Sequence, residues 1–342
     1  MRSFDPRAWV VWLLAGGLLA LGTRNPLYLL LLLVIARVVH SACASPIAVG
    51  QGAPPLRLPF WRLAGAILLF STLFNLLTAH VGETELTALP ESWWLVGGPL
   101  TLEAAVYGFI TGLSLITLLS LFLAFNAIVP TADLAGLTPA ALYELGLVLL
   151  VAITYVPETA RQFQRIREAQ AIRGHRLRGL RDWRPIAIPL LVGGLERALN
   201  LAETMVARGY GATAQVGIPR RARLLLLLAL LLALGGALRL VWGGVDGWAL
   251  ITAGALTVGV AYRQLSRRAP RTRYRPRRWT WADAVVVVAA LLPLVLLLPL
   301  PALAGAGLDY APYPRLTPPP FSLVAGVLLL GLAAPAALEV WP

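Results

Sequence analysis

Lysine is absent: all 29 basic residues of the 342-residue chain are arginine. A P-loop of the usual kind, whose lysine holds the phosphates, is thereby excluded, as is a Schiff-base lysine. The single cysteine, Cys43, rules out an internal disulfide. Three scattered histidines, His40, His80 and His175, leave no metal cluster to expect, and no cofactor. Charged residues are only 13% of the chain, whereas hydrophobic ones are 58%. That balance belongs to an integral membrane protein and overrides the two soluble domains that the length alone would allow. The net charge of +13 would point to nucleic acid in a soluble protein. Here the arginines cluster beside apolar runs, which is the positive-inside bias, so the expected partner is a lipid bilayer and not nucleic acid.

The apolar runs set the expected topology. Residues 8–21 follow a short charged start with no clear cleavage site, so a retained helix is expected. Residues 27–39 return after the turn at Thr23-Arg-Asn-Pro26. Both runs are short against the roughly 20 residues a bilayer needs. Residues 60–79 and 102–128 make the third and fourth spans. The loop between them, 80–99, holds Glu83, Glu85 and Glu91 and no Arg, and Trp93 and Trp94 suit interface anchors, so it reads as external. Residues 161–184 carry eight Arg against Glu168 and Asp182 and read as cytoplasmic. With four spans before it, the run 140–156 then cannot cross and is expected at the cytoplasmic side. Runs 224–242, 248–262, 282–302 and 321–338 complete the count, with the eight-arginine stretch 263–278 inside and the Pro-rich loop 308–320 outside. The expectation is an all-α polytopic membrane protein. It has about eight transmembrane helices plus cytoplasmic-side amphipathic coupling helices. Four regions follow: 1–139, 140–212, 213–270 and 271–342.

The most informative stretch is 158–210, the only long polar segment. It repeats one short phrase: Ala-Gln-Ala-Ile-Arg173-Gly174-His, then Met-Val-Ala207-Arg208-Gly209-Tyr. Phe163, Ile166, Ala169 and Ile172 recur at helical spacing before the first. Ile186, Leu190, Leu195, Leu199, Ala202 and Val206 do so before the second. Glycine after the last turn is the usual stop, because it takes left-handed backbone angles without a Cβ clash. Each helix therefore presents one Arg near its C-terminal end, where the helix dipole favours a cation. The plain alternative is that Arg173 and Arg208 are two more positive-inside charges. Glu158, Glu168, Glu196 and Glu203 are expected as helix-face partners of nearby Arg. Glu103 is expected as an acid at a helix N-terminus, and Asn75 and Asn126 as bonding partners of neighbouring helices.

The paired Arg-Gly ends carry a resemblance. The chain resembles the transmembrane T component of energy-coupling factor (ECF) transporters, the EcfT/CbiQ family. The likeness starts at Phe4-Asp-Pro-Arg7 and Asn25-Pro-Leu-Tyr28. It takes in Thr101-Leu-Glu103 and Pro130-Thr-Ala-Asp-Leu134. It is strongest from Val156-Pro-Glu158 through Arg173-Gly174 and Arg197-Ala198 to Ala207-Arg-Gly-Tyr-Gly211, and resumes at Arg271-Thr-Arg-Tyr-Arg-Pro276 and Asp283. Two departures stand out. Ile172 precedes the first Arg where a small residue is usual, and residues 215–269 look like an inserted two-helix hairpin.

The resemblance implies a non-catalytic subunit in a prokaryotic cytoplasmic membrane. Its partners would be two ABC-type ATPase subunits and a substrate-capture S component, which chooses a vitamin or a transition-metal ion. Arg173, Gly174, Ala207, Arg208 and Gly209 would dock on the ATPases. Two other classes compete. An intramembrane lipid-modifying enzyme calls for clustered Asp, His or Glu near a membrane face. A stand-alone secondary transporter calls for ionisable residues at mid-membrane and a repeat of the spans.

Overall fold

The computed structural model describes residues 4–44, 59–79, 81–90, 97–137, 143–174, 183–210, 219–242, 247–268, 279–297 and 307–340. His80, Trp93, Trp94, His175, Gly211 and the stretch 271–276 lie outside them. The chain divides into two compact units. The first joins residues 1–134 to 277–342, and the second is the intervening 135–276.

In the first unit two helices start with the same device. Helix α1 (Pro6–Gly22) has Pro at its first position, and the preceding Asp5 side chain accepts from Arg7 N at 2.9 Å. Helix α2 (Pro26–Cys43) repeats this with Asn25, which accepts from Leu27 N at 3.0 Å. Asp and Asn satisfy an otherwise orphaned N–H, and proline has no N–H to orphan. Helix α3 (Phe60–Thr78) packs on α4 (Leu102–Ile128), and α4 packs on α1 and α2. A short antiparallel hairpin of β1 (Glu85–Leu89) and β2 (Gly98–Thr101) leads into α4. A one-turn helix, α5 (Thr131–Gly136), follows α4.

Much of this unit's order comes from hydrogen bonds between its two distant pieces. Asp283, only 1% exposed, opens helix α10 (Trp281–Leu297). One of its oxygens accepts from Asp5 N at 2.7 Å; the other accepts from Thr280 N and Oγ1 at 2.8 and 2.7 Å. Asn25, fully buried, donates to Gly307 O and Pro320 O at 2.8 and 2.6 Å. The Tyr28 hydroxyl accepts from Ser322 N, and the Trp12 indole donates to Leu332 O. These bonds seat the C-terminal segment, which comprises α11 (Leu323–Leu330), a 3-10 turn (Gly331–Ala333) and α12 (Ala334–Val340).

The two loops read as external meet at one end of this unit, where Arg315 contacts Glu83. Glu103 lies in the first turn of α4, as expected, but is fully buried. Its carboxylate accepts from Thr84 N and Oγ1 at 3.1 and 2.7 Å.

The second unit holds two helix pairs. Helix α6 (Tyr143–Ile172) packs on α7 (Arg184–Ala207), and α8 (Arg220–Val241) packs closely on α9 (Gly247–Arg268). The latter pair is antiparallel and joined through small residues: a Cβ on Gly236 would stand 2.7 Å from Gly247 O, and one on Gly254 would stand 3.1 Å from Ala229 O. Small residues let helix backbones approach where lipid gives no hydrophobic drive.

The expected eight spans are not found. Among the described residues five helices are long and apolar enough to cross a membrane: α2, α3, α4, α7 and α8. Length explains part of the difference, since α1 and α10 are only 17 residues each and the last apolar run is broken into α11, a 3-10 turn and α12. Helix α9 ends in Arg263, Arg267 and Arg268 and is not among the five. Conversely α7, read as a cytoplasmic-side amphipathic helix, is 24 residues long and apolar enough to count. Residues 140–156 were expected as a separate element. From Tyr143 they form one 30-residue helix with the polar segment, with Pro157 inside it. Among the described residues Asn75 and Asn126 bond no neighbouring helix; each donates to the carbonyl one turn back on its own helix, Ser71 O and Phe122 O.

Helices α3 and α4 touch through Gly108. Ser71 Oγ donates to Gly108 O at 2.8 Å, and a Cβ on Gly108 would lie 2.6 Å from Ser71 O and 2.8 Å from Asn75 Cβ. The obstacle is backbone, which cannot rotate away. Gly108→Ala should therefore destabilise the unit by about 1–3 kcal/mol through overpacking. Thermal denaturation of the detergent-solubilised chain checks this against Gly65→Ala, where an added Cβ meets nothing within 4 Å.

Candidate functional site: two arginine-tipped helices

Helices α6 and α7 run antiparallel. Gln170 Nε2 donates to Pro185 O at 3.4 Å, Gln162 lies against Gly193, and the Tyr155 hydroxyl donates to Arg197 O at 3.3 Å. Partners thus fall in sequence on α6 as they rise on α7. Phe163 stacks on Trp183 at 5.9 Å near the start of α7.

Each helix ends on its Arg-Gly pair, and both glycines take the left-handed conformation, φ +82° at Gly174 and +80° at Gly209. At the end of α7 a full Schellman cap forms. Tyr210 N donates to Met205 O at 2.9 Å, and Gly209 N donates to Val206 O at 2.9 Å. The end of α6 shows the inner of these two bonds, Gly174 N to Ala171 O at 3.0 Å. Ile172, Arg173, Gly174, Ala207, Arg208 and Gly209 are all exposed, and Ile172 is 88% so. An added Cβ at either glycine would meet nothing within 4 Å. The five residues read from the sequence thus sit on two open helix tips.

The tips are not brought together. Arg173 lies at the α7 N-terminal end and Arg208 at its C-terminal end, so the length of α7 separates them, about 35 Å at 1.5 Å per residue. Such a pair suits two separate contacts rather than one pocket. Neither Arg has an ion-pair partner among the described residues. By contrast Arg161 pairs with Glu158 at 3.7 Å, and Glu168 accepts from Gln164 at 2.9 Å. Those acids are helix-face partners, although the partner of Glu168 is a glutamine and not an arginine.

The α6–α7 seam holds a feature that residue spacing did not reveal. Arg197 Nε and Nη2 and Gln162 Oε1 are buried without a hydrogen-bond partner among the described residues. Gln162 Nε2 presses on Gly193, where a Cβ would stand 2.4 Å away. The Gly193-Gly194 pair inside an amphipathic helix was the available signal, since glycine there marks a close approach. Among the described residues no group of three or more His, Cys, Asp and Glu could hold a metal ion.

The left-handed caps make a prediction about local order. Gly209→Ala places a Cβ against the preceding backbone and should cost about 1–2 kcal/mol at the helix end. Gly209→Asn should cost less, because asparagine tolerates this conformation. Amide hydrogen exchange at Arg208, Gly209 and Tyr210 should quicken in the order Gly, Asn, Ala.

The long apolar helices define a membrane-embedded protein, and its family makes it a transport subunit. The family model of CbiQ, described as a cobalt transport protein, matches residues 2–218. The chain belongs to this family, that of the transmembrane components of energy-coupling factor transporters. It is 29% identical over 211 residues to the energy-coupling factor transporter transmembrane protein BioN of Rhizobium etli, covering 61% of this chain and 91% of that protein. It is also similar to the transmembrane protein EcfT of Leuconostoc gelidum subsp. gasicomitatum, 37% identical over 73 residues, and to that of Exiguobacterium sibiricum, 35% identical over 74. Those two matches cover 20% of this chain and only 27% and 28% of the relatives. The matched region 2–218 contains both Arg-Gly tips and stops before α8.

Proposed function

We propose that the chain is the energy-coupling transmembrane subunit of an ECF-type importer. It transmits ATP-driven motion of two cytoplasmic ABC-type ATPases to a substrate-capture membrane protein, for uptake of a vitamin or a transition-metal ion. Arg173 and Arg208, each with its following glycine, dock in one ATPase each, against carboxylates. Ala207 keeps the second tip slim. The observation that carries this reading is the pair of exposed arginine tips on one antiparallel helix pair, each unpaired among the described residues and each followed by a left-handed glycine. A guanidinium fork is suited to a carboxylate partner, and the left-handed glycine behind it lets a partner backbone come close. When the ATPases close, the tips shift, and α6 and α7 slide along the Gly193 seam. The chain itself performs no catalysis.

Cross-linking tests the reading. Cys43 is the sole cysteine, so a Cys43→Ser background allows single cysteines at Ile172, at Ala207 and, as a control, at Leu231 on α8. With the ATPase pair co-expressed, the two tip positions should link to ATPase and Leu231→Cys should not. An assembled complex in which neither tip links would refute the docking role.

A further inference from the structure

One cavity of the first unit, about 190 Å³, lies at the end where the α1–α2 turn meets the 307–320 segment. It has room for roughly six water-sized groups. Its apolar lining comes from Leu21 and the buried Ile110. Its rim carries Arg24, whose backbone N–H is fixed to Leu308 O at 3.0 Å but whose side chain is exposed and has no partner among the described residues.

Four of the five hydroxyls that line it have their proton on a carbonyl, Thr23 Oγ1 on Leu308 O at 2.9 Å being the first, whereas Tyr107 Oη has no hydrogen-bond partner among the described residues. Thr111 Oγ1 donates to Tyr107 O at 2.9 Å, Ser114 Oγ donates to Ala20 O at 3.1 Å, and Tyr310 Oη donates to Thr317 O at 2.7 Å. Each hydroxyl has one proton and two lone pairs. With their protons already committed to carbonyls, these four oxygens face a ligand only as acceptors. The cavity therefore offers one cationic fork, a row of acceptors, the Tyr107 hydroxyl and apolar lining. Its complement carries an anionic group, hydroxyl donors and a hydrocarbon portion.

We propose that this cavity receives the headgroup of a phosphoglycerol lipid, with the phosphate on Arg24 and the glycerol hydroxyls on Thr111 and Ser114. Arginine matches phosphate geometry with two parallel donors. A choline headgroup offers no donor to the hydroxyl row and brings a second cation beside Arg24. Free glycerol phosphate shares the polar chemistry but makes no use of Leu21 and Ile110. The site is independent of the coupling role of the arginine tips.

Native mass spectrometry of the full chain in detergent micelles tests it. The probes are phosphatidylglycerol, phosphatidylcholine and glycerol 3-phosphate, each added separately. The chain should retain one phosphatidylglycerol about tenfold better than phosphatidylcholine, because both bring a phosphate but only the first brings hydroxyl donors and no second cation beside Arg24. Arg24→Gln should remove that preference, whereas Arg315→Gln, at the same end of the unit but paired with Glu83, should leave it intact. Thr111→Val, which changes no charge and lies on an exposed position, should lower retention severalfold. Equal retention of the two lipids, or equal loss in Arg24→Gln and Arg315→Gln, overturns the proposal. Binding of glycerol 3-phosphate through Arg24 with no lipid preference overturns it as well, making the cavity a soluble-phosphate site.

Discussion

The Arg173→Ala, Arg208→Ala double variant should reach the membrane in wild-type amounts yet fail to hold its ATPases and lose coupled uptake. Truncating one partner of a buried charge pair at an interface costs about 2–5 kcal/mol. Each single variant should therefore weaken ATPase binding thirtyfold or more, and the double variant should abolish co-purification. Folding should be untouched, because both side chains are exposed and unpaired among the described residues. Arg161→Ala is the control. Its exposed pairing with Glu158 at 3.7 Å is worth at most about 1 kcal/mol, and its loss should leave ATPase capture intact. Lysine should rescue neither tip fully, since an ammonium lacks the planar fork. A double variant that holds its ATPases and transports normally would reduce both arginines to topology charges.

Asp283→Ala should be among the most damaging single changes to the fold. The side chain serves three donors at once: Asp5 N, Thr280 N and Thr280 Oγ1. Two of the bonds belong to a reciprocal cap, because Asp283 N in turn faces Thr280 Oγ1 at 3.4 Å. The third reaches 278 residues back to the start of α1. Leaving buried donors without acceptors costs about 1–3 kcal/mol each. A loss of about 3 kcal/mol or more is expected, a fall of roughly 4 °C or more in Tm for a protein of this size. Asp283→Asn should do little better. Both carboxylate oxygens accept here, and the amide replaces one of them with a donor. Thermal unfolding in detergent, followed by size-exclusion chromatography, reads the shift. A change below about 0.5 kcal/mol would mean that water replaces the lost acceptor freely.

The local signals in the sequence were strong where one short stretch decides the structure. Asp5-Pro6 and Asn25-Pro26 are not among the expected helix starts, and the second is expected in a turn, although both prove to be capped starts. The Arg-Gly pairs announce helix ends, and both glycines have positive φ. Helix α4 spans the expected residues because Thr101 caps it and Val129 leaves it extended. The span count was not legible. A run of 17 apolar residues and one of 18 differ by a single turn fraction, and hydropathy alone does not separate α7 from a surface helix. The β1–β2 hairpin was missed because five and four residues give too short a pattern for period-two reading. Glu103 was placed correctly in a first turn, but its burial depends on Thr84, which only the folded chain brings near. Asp283 is one of the residues that carry the resemblance, and nothing local in the sequence says that its partner is Asp5.

That the first unit is built from both ends of the chain sets its timetable during biosynthesis. Asp5 and Asn25 leave the ribosome well before their partners at Asp283, Gly307 and Pro320. Making the roughly 150 residues between the two pieces takes about 8–30 s at ordinary elongation rates. Throughout that interval α1, α2 and α4 carry buried-to-be polar groups with no protein partner. The nascent chain is then a substrate for membrane insertases and for quality-control proteases. Chains released before residue 280 should accordingly be cleared in pulse-chase experiments, although they already contain both arginine tips.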